Sequence, residues 1–322
     1  MKILVTGAAG FIATNLIPRL LGAGHEVHGI DNFFLGKREF VALSEKKPGF
    51  HFYELDLLER EKVAALIGEI KPDRVWHLAA NSDISFGTKY TDFDLKGGTL
   101  ATYNVLEGMR LAGTKEIVFA SSGAIYGEPA VMPTPENYGP LFPISMYAAS
   151  KIACETMITA FCHNYAMRTW IFRFGNIVGP FPTHGVIYDF IRKLQADPVR
   201  LAMLGDGLQA KPYVHVEDCL DGMMFGQEHA RDEVNCYNLA VPDQTSVNDI
   251  AKWTIEAMGL DPERVRIERS GTKRGWPGDV TQVKLDTRRM EALGWRPKMS
   301  SGEAVRRTIA ECVEQLTHGA QA

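Results

Sequence analysis

Apolar and polar positions change period along this chain in an ordered way. Lys2 to Thr6 (KILVT) is a short apolar run of the kind that forms a buried strand. Gly7-Ala8-Ala9-Gly10 follows, and then Leu16, Ile17, Leu20 and Leu21 recur at the spacing of one helical face, ending at Gly22. A lysine, an apolar stretch and small residues also open a signal peptide. Two helix-weakening glycines and the polar Thr14, Asn15 and Arg19 interrupt that pattern, so strand, turn and helix is the better reading.

The same alternation continues. Strands are predicted at 25–31 (HEVHGID), 50–56 (FHFYELD), 74–80 (RVWHLAA), 116–122 (EIVFASS) and 169–176 (TWIFRFGN). Helices are predicted at 57–70 (LLEREKVAALIGEI), near 92–111 and around 145–165. Apolar strands alternating with helices imply an α/β fold with a doubly wound parallel sheet, covered on both faces. After Val178 the rhythm loosens into loops such as GPFPTHG and LGDGLQAKP, with a later helix from Ser246 and a capping box in SSGE at 300–303. The expected organisation is a Rossmann-like domain over residues 1–176 and a smaller C-terminal substrate-binding domain over 177–322, interleaved with the first.

Composition narrows the function classes. A length of 322 residues suits about two structural units. The net charge of -4 shows no basic excess, so nucleic acid is not an expected partner. Five scattered cysteines with no CxxC pair fit free thiols in a reducing cytoplasm. No run approaches the roughly 18 apolar residues that span a membrane. His25 and His28 have no further ligands close by in sequence, so no metal site is expected.

Chemistry is concentrated in two places. Gly7, Gly10 and Ala13 form G-x-x-G-x-x-A between a strand and a helix, where the backbone turns tightly and a diphosphate approaches free N–H groups. Asp31 ends the second strand, where a carboxylate meets adenosine ribose hydroxyls and repels a 2′-phosphate. That favours NAD over NADP, with Lys37 and Arg38 weighing the other way. The second place is Tyr147-Ala148-Ala149-Ser150-Lys151, whose tyrosine and lysine share one helix face. A nearby ammonium favours the phenolate. Most YxxxK matches are a packed tyrosine beside a solvated lysine, but here Ser122 stands at the carboxyl end of the fifth strand, where ligands bind in such sheets.

The motifs TGAAGFIA, DNFFLGKRE, Asp56-Leu57, HLAA at 77–80, SSGAIYGEP, YAASK, FRFGNIVGP and LGDGLQAKPYVHVED, in this order, resemble the extended short-chain dehydrogenases/reductases, and within them the nucleotide-sugar epimerases. The resemblance covers nearly the whole chain. It implies Ser122, Tyr147 and Lys151 as catalytic residues. It implies Gly7, Gly10, Phe11, Ile12, Asp31, Asn32, Lys37, Asp56, Leu57, Leu78, Ala79 and Ala80 around NAD, together with Tyr147 and Lys151. His77 is expected to pack at a strand end near the cofactor. Asn176, Lys211 and Arg274 are implied near the sugar nucleotide's diphosphate.

The implied reaction is redox-neutral. Tyr147 as phenolate takes the proton of a sugar 4-hydroxyl while C4 gives hydride to NAD, and the 4-keto sugar turns over and is reduced on its other face. Ser122 hydrogen-bonds the same oxygen. The resemblance further implies a UDP-sugar substrate and a homodimer built on the helices near 92–111 and 145–165, the second of which carries Ile152, Met157, Ile158, Ala160 and Phe161. Val283 corresponds to a position lining the pocket near the sugar's C2 substituent, where a small side chain admits N-acetylhexosamines; the competing reading is a strand residue packed in the core.

This sequence departs from the family pattern in several places. Ala13 replaces a third glycine, Leu95 stands where an asparagine is usual, Lys211 replaces an arginine, and in RGWPGD Trp276 fills the common arginine slot before Asp279. Three other functions share parts of this pattern. A 4,6-dehydratase or decarboxylase needs acid and base groups just after the catalytic serine, and Gly123-Ala124-Ile125 has none. A 4-ketoreductase shares the triad and normally favours NADPH. A non-catalytic NAD sensor would be marked by loss of the tyrosine or lysine, and both are present.

Overall fold

The structure, a computed structural model, describes residues 1–84, 86–271, 280 and 282–318. Its strands are β1 (Lys2–Thr6), β2 (Glu26–Asp31), β3 (Phe50–Glu54), β4 (Arg74–His77), β5 (Glu116–Ser122), β6 (Arg168–Phe174), β7 (Asn176–Val178), β8 (Arg200–Met203), β9 (Ala210–Lys211), β10 (Tyr213–His215), β11 (Val234–Leu239), β12 (Thr245–Ser246) and β13 (Arg266–Arg269). The helices are α1 (Phe11–Gly22), α2 (Arg38–Glu45), α3 (Arg60–Ile70), α4 (Phe86–Lys89), α5 (Ala101–Ala112), α6 (Met146–Tyr165), α7 (Val186–Ala196), α8 (Val216–His229), α9 (Val247–Ala257), α10 (Arg288–Leu293) and α11 (Ser301–His318).

Seven strands form the central sheet in the order β11-β6-β5-β4-β1-β2-β3. Strands β3, β2, β1, β4 and β5 pair in parallel. The chain winds outward from β1 through β2 to β3, then returns to β4 on the other side of β1. That reversal is the switch point at which a doubly wound sheet opens a crevice for a ligand. One core beneath it joins Leu4, Ile30, Val63, Ile67, Val75, Val105, Ile117, Cys154 and Ile158.

Two compact units divide the chain. One consists of Met1–Gly127, Leu141–Arg173 and Met223–Tyr237, and the other of Glu128–Pro140, Phe174–Gly222 and Asn238–Ala322. The second has its own core, in which Ile187, Phe190 and Ile191 of α7 pack with Ile250 and Ile255 of α9 and Val305 and Ile309 of α11.

Local rules account for the element ends. Ser145 accepts the Ala148 N–H at 3.1 Å and starts α6. Ser300 and Glu303 form the expected capping box, with the Ser300 N–H donating to Glu303 at 2.8 Å and the Glu303 N–H to Ser300 Oγ at 3.3 Å. The expected helical stretch near 92–111 is present, and its first part, Leu95–Leu100, is π-helical before it runs on into α5. Two adjacent glycines, Gly97 and Gly98, relax the turn, and Gly98 brings the backbone close to Ser150 of α6, where an added Cβ would lie 2.1 Å from its Oγ. Strand β11 (VNCYNL) was not expected from the sequence; it adds the outermost strand beside β6.

Candidate active site

At the switch point the backbone of Gly7 has φ +70°, and a Cβ there would sit 2.9 Å from the Ala79 backbone. The turn therefore closes against the chain leaving β4, where Leu78 and Ala79 donate their N–H groups to the Thr6 carbonyl and hydroxyl at 3.3 and 3.2 Å. Helix α1 starts from Gly10 with no side chain capping it, which leaves the N–H groups at Phe11 and Ile12 directed at an incoming anion. Ala13 is buried within α1, so its methyl is accommodated.

Asp31 does more than end β2. Its two carboxylate oxygens accept the N–H groups of Ala9 and Phe33 at 3.0 and 2.7 Å, tying the glycine turn to the next loop. Burial pushes its carboxyl up, and these backbone donors pull it back. A carboxylate offers about four acceptor sites, so Asp31 keeps capacity for a ribose hydroxyl beside its backbone donors. The loop folds back because Gly36 lies so close to the turn that a Cβ would come within 2.7 Å of the Ala9 methyl. Lys37 donates its N–H to the Ala9 carbonyl at 3.0 Å and holds Glu39 at 3.5 Å, while Arg38 pairs with Glu54 at 2.5 Å and lies over the Phe33 ring. Arg38 is thus engaged elsewhere. Asn32 donates to Asp56 at 3.0 Å, and Asn104 holds the Leu57 carbonyl at 2.8 Å, which fixes the Asp56-Leu57 pair. Leu78, Ala79 and Ala80 are half-buried at the end of β4.

The second cluster lies at the same end of the neighbouring strands. Ser122 ends β5 and accepts the Ala124 N–H at 3.2 Å, so Gly123–Tyr126 turns as a short 3-10 helix. Its hydroxyl hydrogen-bonds Tyr147, in the first turn of α6. Lys151, one turn on, is buried, donates to the Ala120 carbonyl at 2.6 Å and has its Nζ 5.7 Å from the Tyr147 ring centre. Burial pushes the Tyr147 phenol up to about 12; the Ser122 hydrogen bond opposes that rise and the Asp94 charge adds to it. Burial also lowers Lys151 to about 8. Burial thus disfavours the charged form of both groups. His77 bridges the strands, with Nδ1 2.7 Å from the Thr6 hydroxyl and Nε2 2.9 Å from that of Thr102. Burial, followed by the Lys151 charge, lowers its pKa to about 3, so it serves as a neutral hydrogen-bonding strut.

Several buried groups around this cluster were not singled out from sequence. Leu95 is half exposed, and the neighbouring Asp94, 2% exposed, takes the inward position one residue earlier. The π-helical turn widens the helix by a residue and so shifts which side chain faces in. Asp94 accepts Asn81 Nδ2 at 3.0 Å, and its carbonyl accepts the Ser150 hydroxyl at 2.8 Å. One turn beyond Lys151, Glu155 is clamped by Arg173 at 2.7 and 3.1 Å and by the Ser121 hydroxyl at 2.5 Å. Arg173 also donates to the Tyr126 hydroxyl at 2.9 Å. The only signals for this network were a glutamate four residues after Lys151 and an arginine within a strand.

Of the substrate residues, Asn176, Lys211 and Val283 belong to the second unit. Asn176 donates its N–H to Pro212 at 3.0 Å, next to Lys211, which is half-buried at the end of β9. Ala210 bridges to Gln282, which brings Val283 to the same strand end. Val283 is half-buried in an irregular stretch, and its carbonyl accepts Gln244 Nε2 at 2.5 Å. Arg274, Trp276 and Asp279 lie outside the described residues.

A glycine turn with a terminal aspartate at the sheet's switch point, beside a serine, tyrosine and lysine, defines an extended short-chain dehydrogenase/reductase. Residues 3–240 match the profile of the NAD dependent epimerase/dehydratase family, and the chain belongs to that family. NAD is its cofactor, and the Gly7 cradle, the uncapped α1 and Asp31 fit it. The chain is 31% identical to UDP-glucose 4-epimerase of Mycolicibacterium smegmatis over 96% of this chain and 97% of the relative. It is similar to a crystal structure of UDP-galactose 4-epimerase, with 36% identity, a TM-score of 0.87 and coverage of 98% of this chain and 100% of the other. The Thermus thermophilus UDP-glucose 4-epimerase in complex with NAD is 32% identical, with a TM-score of 0.85 over 97% of this chain and 99% of the other.

Proposed function

We propose that this chain interconverts the C4 epimers of a nucleotide sugar through a 4-keto sugar, with UDP-glucose and UDP-galactose as the substrate pair. The observation that carries this reading is the meeting of Ser122, Tyr147 and Lys151 ahead of a turn, Gly123–Ala124–Ile125, that offers no acid or base. A proton can be taken from and returned to the 4-oxygen, while nothing on that turn removes one from C5. NAD supplies, when bound, the hydride acceptor and donor and a positive charge that favours the phenolate.

Tyr147 takes the proton of the 4-hydroxyl. Ser122 holds that oxygen and stabilises charge as it develops. Lys151, anchored on the Ala120 carbonyl, is placed to hold the nicotinamide ribose. Asp31 and the uncapped α1 hold the adenosine ribose and the diphosphate of the cofactor, and Asn176, Lys211 and Arg274 bind the diphosphate of the sugar. The small side chain of Val283 supports a sugar pocket that admits an N-acetyl group.

The enzyme works in the cytoplasm as a homodimer. Five free cysteines support the reducing compartment, and no helix among the described residues is long and apolar enough to cross a membrane. Leu100 and Leu111, at 45% and 61% exposure, together with the half-buried Ile152, Met157 and Phe161, support the pairing of α5 and α6 between copies. Ile158 is spent in the protein's own core and takes no part.

The test mixes purified protein with UDP-, dTDP- and GDP-sugars without added cofactor. Epimers form, denatured protein releases NAD, and Tyr147→Phe keeps fold and NAD while turnover falls about 10²–10⁴-fold. Recovery of NADP, or strict dependence on added NADPH, would replace this reading with a reductase.

A further inference from the structure

Strands β2 and β3 bring together residues that are far apart in sequence, at the end of the sheet away from the glycine turn. Glu26 and His28 are two apart on β2 and face the same way, and the register sets His51 directly opposite His28. Glu26, His28 and His51 each offer a ligand atom, and these atoms all lie within 4.8 Å of one another. The expectation that His28 lacks further ligands is thereby corrected: the partner comes from the neighbouring strand, which local spacing does not reveal.

We propose that Glu26, His28 and His51 form a binding site for a borderline divalent transition-metal ion such as Zn2+. Two imidazoles and a carboxylate, with a remaining position open to solvent, are a donor set that suits such ions. With Zn–N and Zn–O distances of about 2.0–2.2 Å, tetrahedral ligand atoms stand about 3.4 Å apart. Here Glu26 Oε1 is 3.1 Å from His28 Nε2 and 3.6 Å from His51 Nε2.

His28 is held ready. Its Nδ1 lies 3.1 Å from the Tyr53 hydroxyl, the kind of outer contact that fixes a ligating imidazole's tautomer and orientation. The two imidazoles are stacked, with ring centres 4.8 Å apart. His51, with half its side chain exposed, is the ring that turns to aim its Nε2 at the ion. The charged neighbours partly offset each other. Lys2, opposite Glu26 on β1, opposes a cation, but its Nζ is drawn to the Ile70 carbonyl at 3.4 Å; Glu69 adds negative charge beside Tyr53.

The site stands at the first residue of β2 and Asp31 at the last, about 17 Å apart at roughly 3.4 Å per residue. Bound metal would pin edge strand β3 to β2 without entering the reaction. Untagged, chelator-treated holoprotein titrated with Zn2+ by calorimetry is expected to take up one ion per chain and to unfold at a higher temperature. His51→Ala, a change at an exposed position, abolishes both effects, and Tyr53→Phe weakens binding about 10-fold. Co2+ gives visible d–d bands in the wild type that His51→Ala lacks. Failure of the wild type to bind Zn2+, or binding that is the same in His51→Ala and Glu26→Gln, would overturn the site and leave an ordinary hydrogen-bonded cluster.

Discussion

Replacing Arg173 with methionine removes the guanidinium that clamps Glu155 in a buried part of the catalytic unit. The two side chains are 10% and 9% exposed and meet through two N–H···O contacts at 2.7 and 3.1 Å. Burial opposes the guanidinium charge, yet the hydrogen bonds to Glu155 help raise the Arg173 pKa overall, so the guanidinium stays charged. Breaking a buried pair from one side costs about 3–5 kcal/mol, because the surviving charge stays in a low-dielectric site. With typical domain stabilities of about 5–15 kcal/mol, that is a large fraction of the whole. Glu155→Leu strands Arg173 in the same way and also leaves the Ser121 hydroxyl without its acceptor. The double variant Glu155→Leu/Arg173→Met strands no charge and is expected within about 1–2 kcal/mol of wild type. Urea unfolding of all four proteins, followed by tryptophan fluorescence, closes the cycle. If each single variant costs under about 1 kcal/mol, or the double variant loses the sum of the singles, the network does not work as a charge pair. Lys151 adds a second readout: Glu155 raises its pKa, so Glu155→Leu shifts the lysine's titration further down.

Gly7→Ala puts a side chain at φ +70° and 2.9 Å from Ala79, costing about 1–2 kcal/mol in backbone strain before any clash is counted; the purified variant should release much less NAD on denaturation, and full NAD content would contradict the cradle. Cofactor-free protein should gain stability as pH rises from about 8 towards 10.5, because folded Lys151 sheds its proton near 8 while the unfolded lysine holds its own to 10.5. Tyr147 acts in the opposite sense: its folded pKa of about 12 against 10.0 makes stability fall above pH 10. Each one-proton difference gives a slope of about 1.4 kcal/mol per pH unit, and a rise that persists in Lys151→Met would show that another group causes it. Val283→Tyr should cut turnover of a UDP-N-acetylhexosamine while sparing UDP-glucose, and equal loss on both would make Val283 structural.

The order of residues along the chain carries most of the frame. KILVT, the two glycines and the leucines after them specify β1, turn and α1, because burial in a parallel sheet demands continuous apolar strands and helices need a repeating face. Asp31, Ser122 and the Tyr147/Lys151 spacing fall at strand ends and in one helical turn, so they too were legible locally. Strand β11 was missed because VNCYNL mixes asparagine and cysteine into its apolar positions. Its Asn235 is instead satisfied by the nearby Asp232 carbonyl at 2.7 Å and by the Thr169 carbonyl at 3.0 Å, a partner that only the assembled unit supplies. Asp94 facing inward in place of Leu95 depends on a π-helical turn fitted against α6. The high phenol pKa of Tyr147 and the low pKa of Lys151 depend on burial, which has no period. The Glu155–Arg173 clamp and the facing of His28 and His51 depend on which strand or helix lies alongside which, and spacing along one segment contains no information about its neighbour.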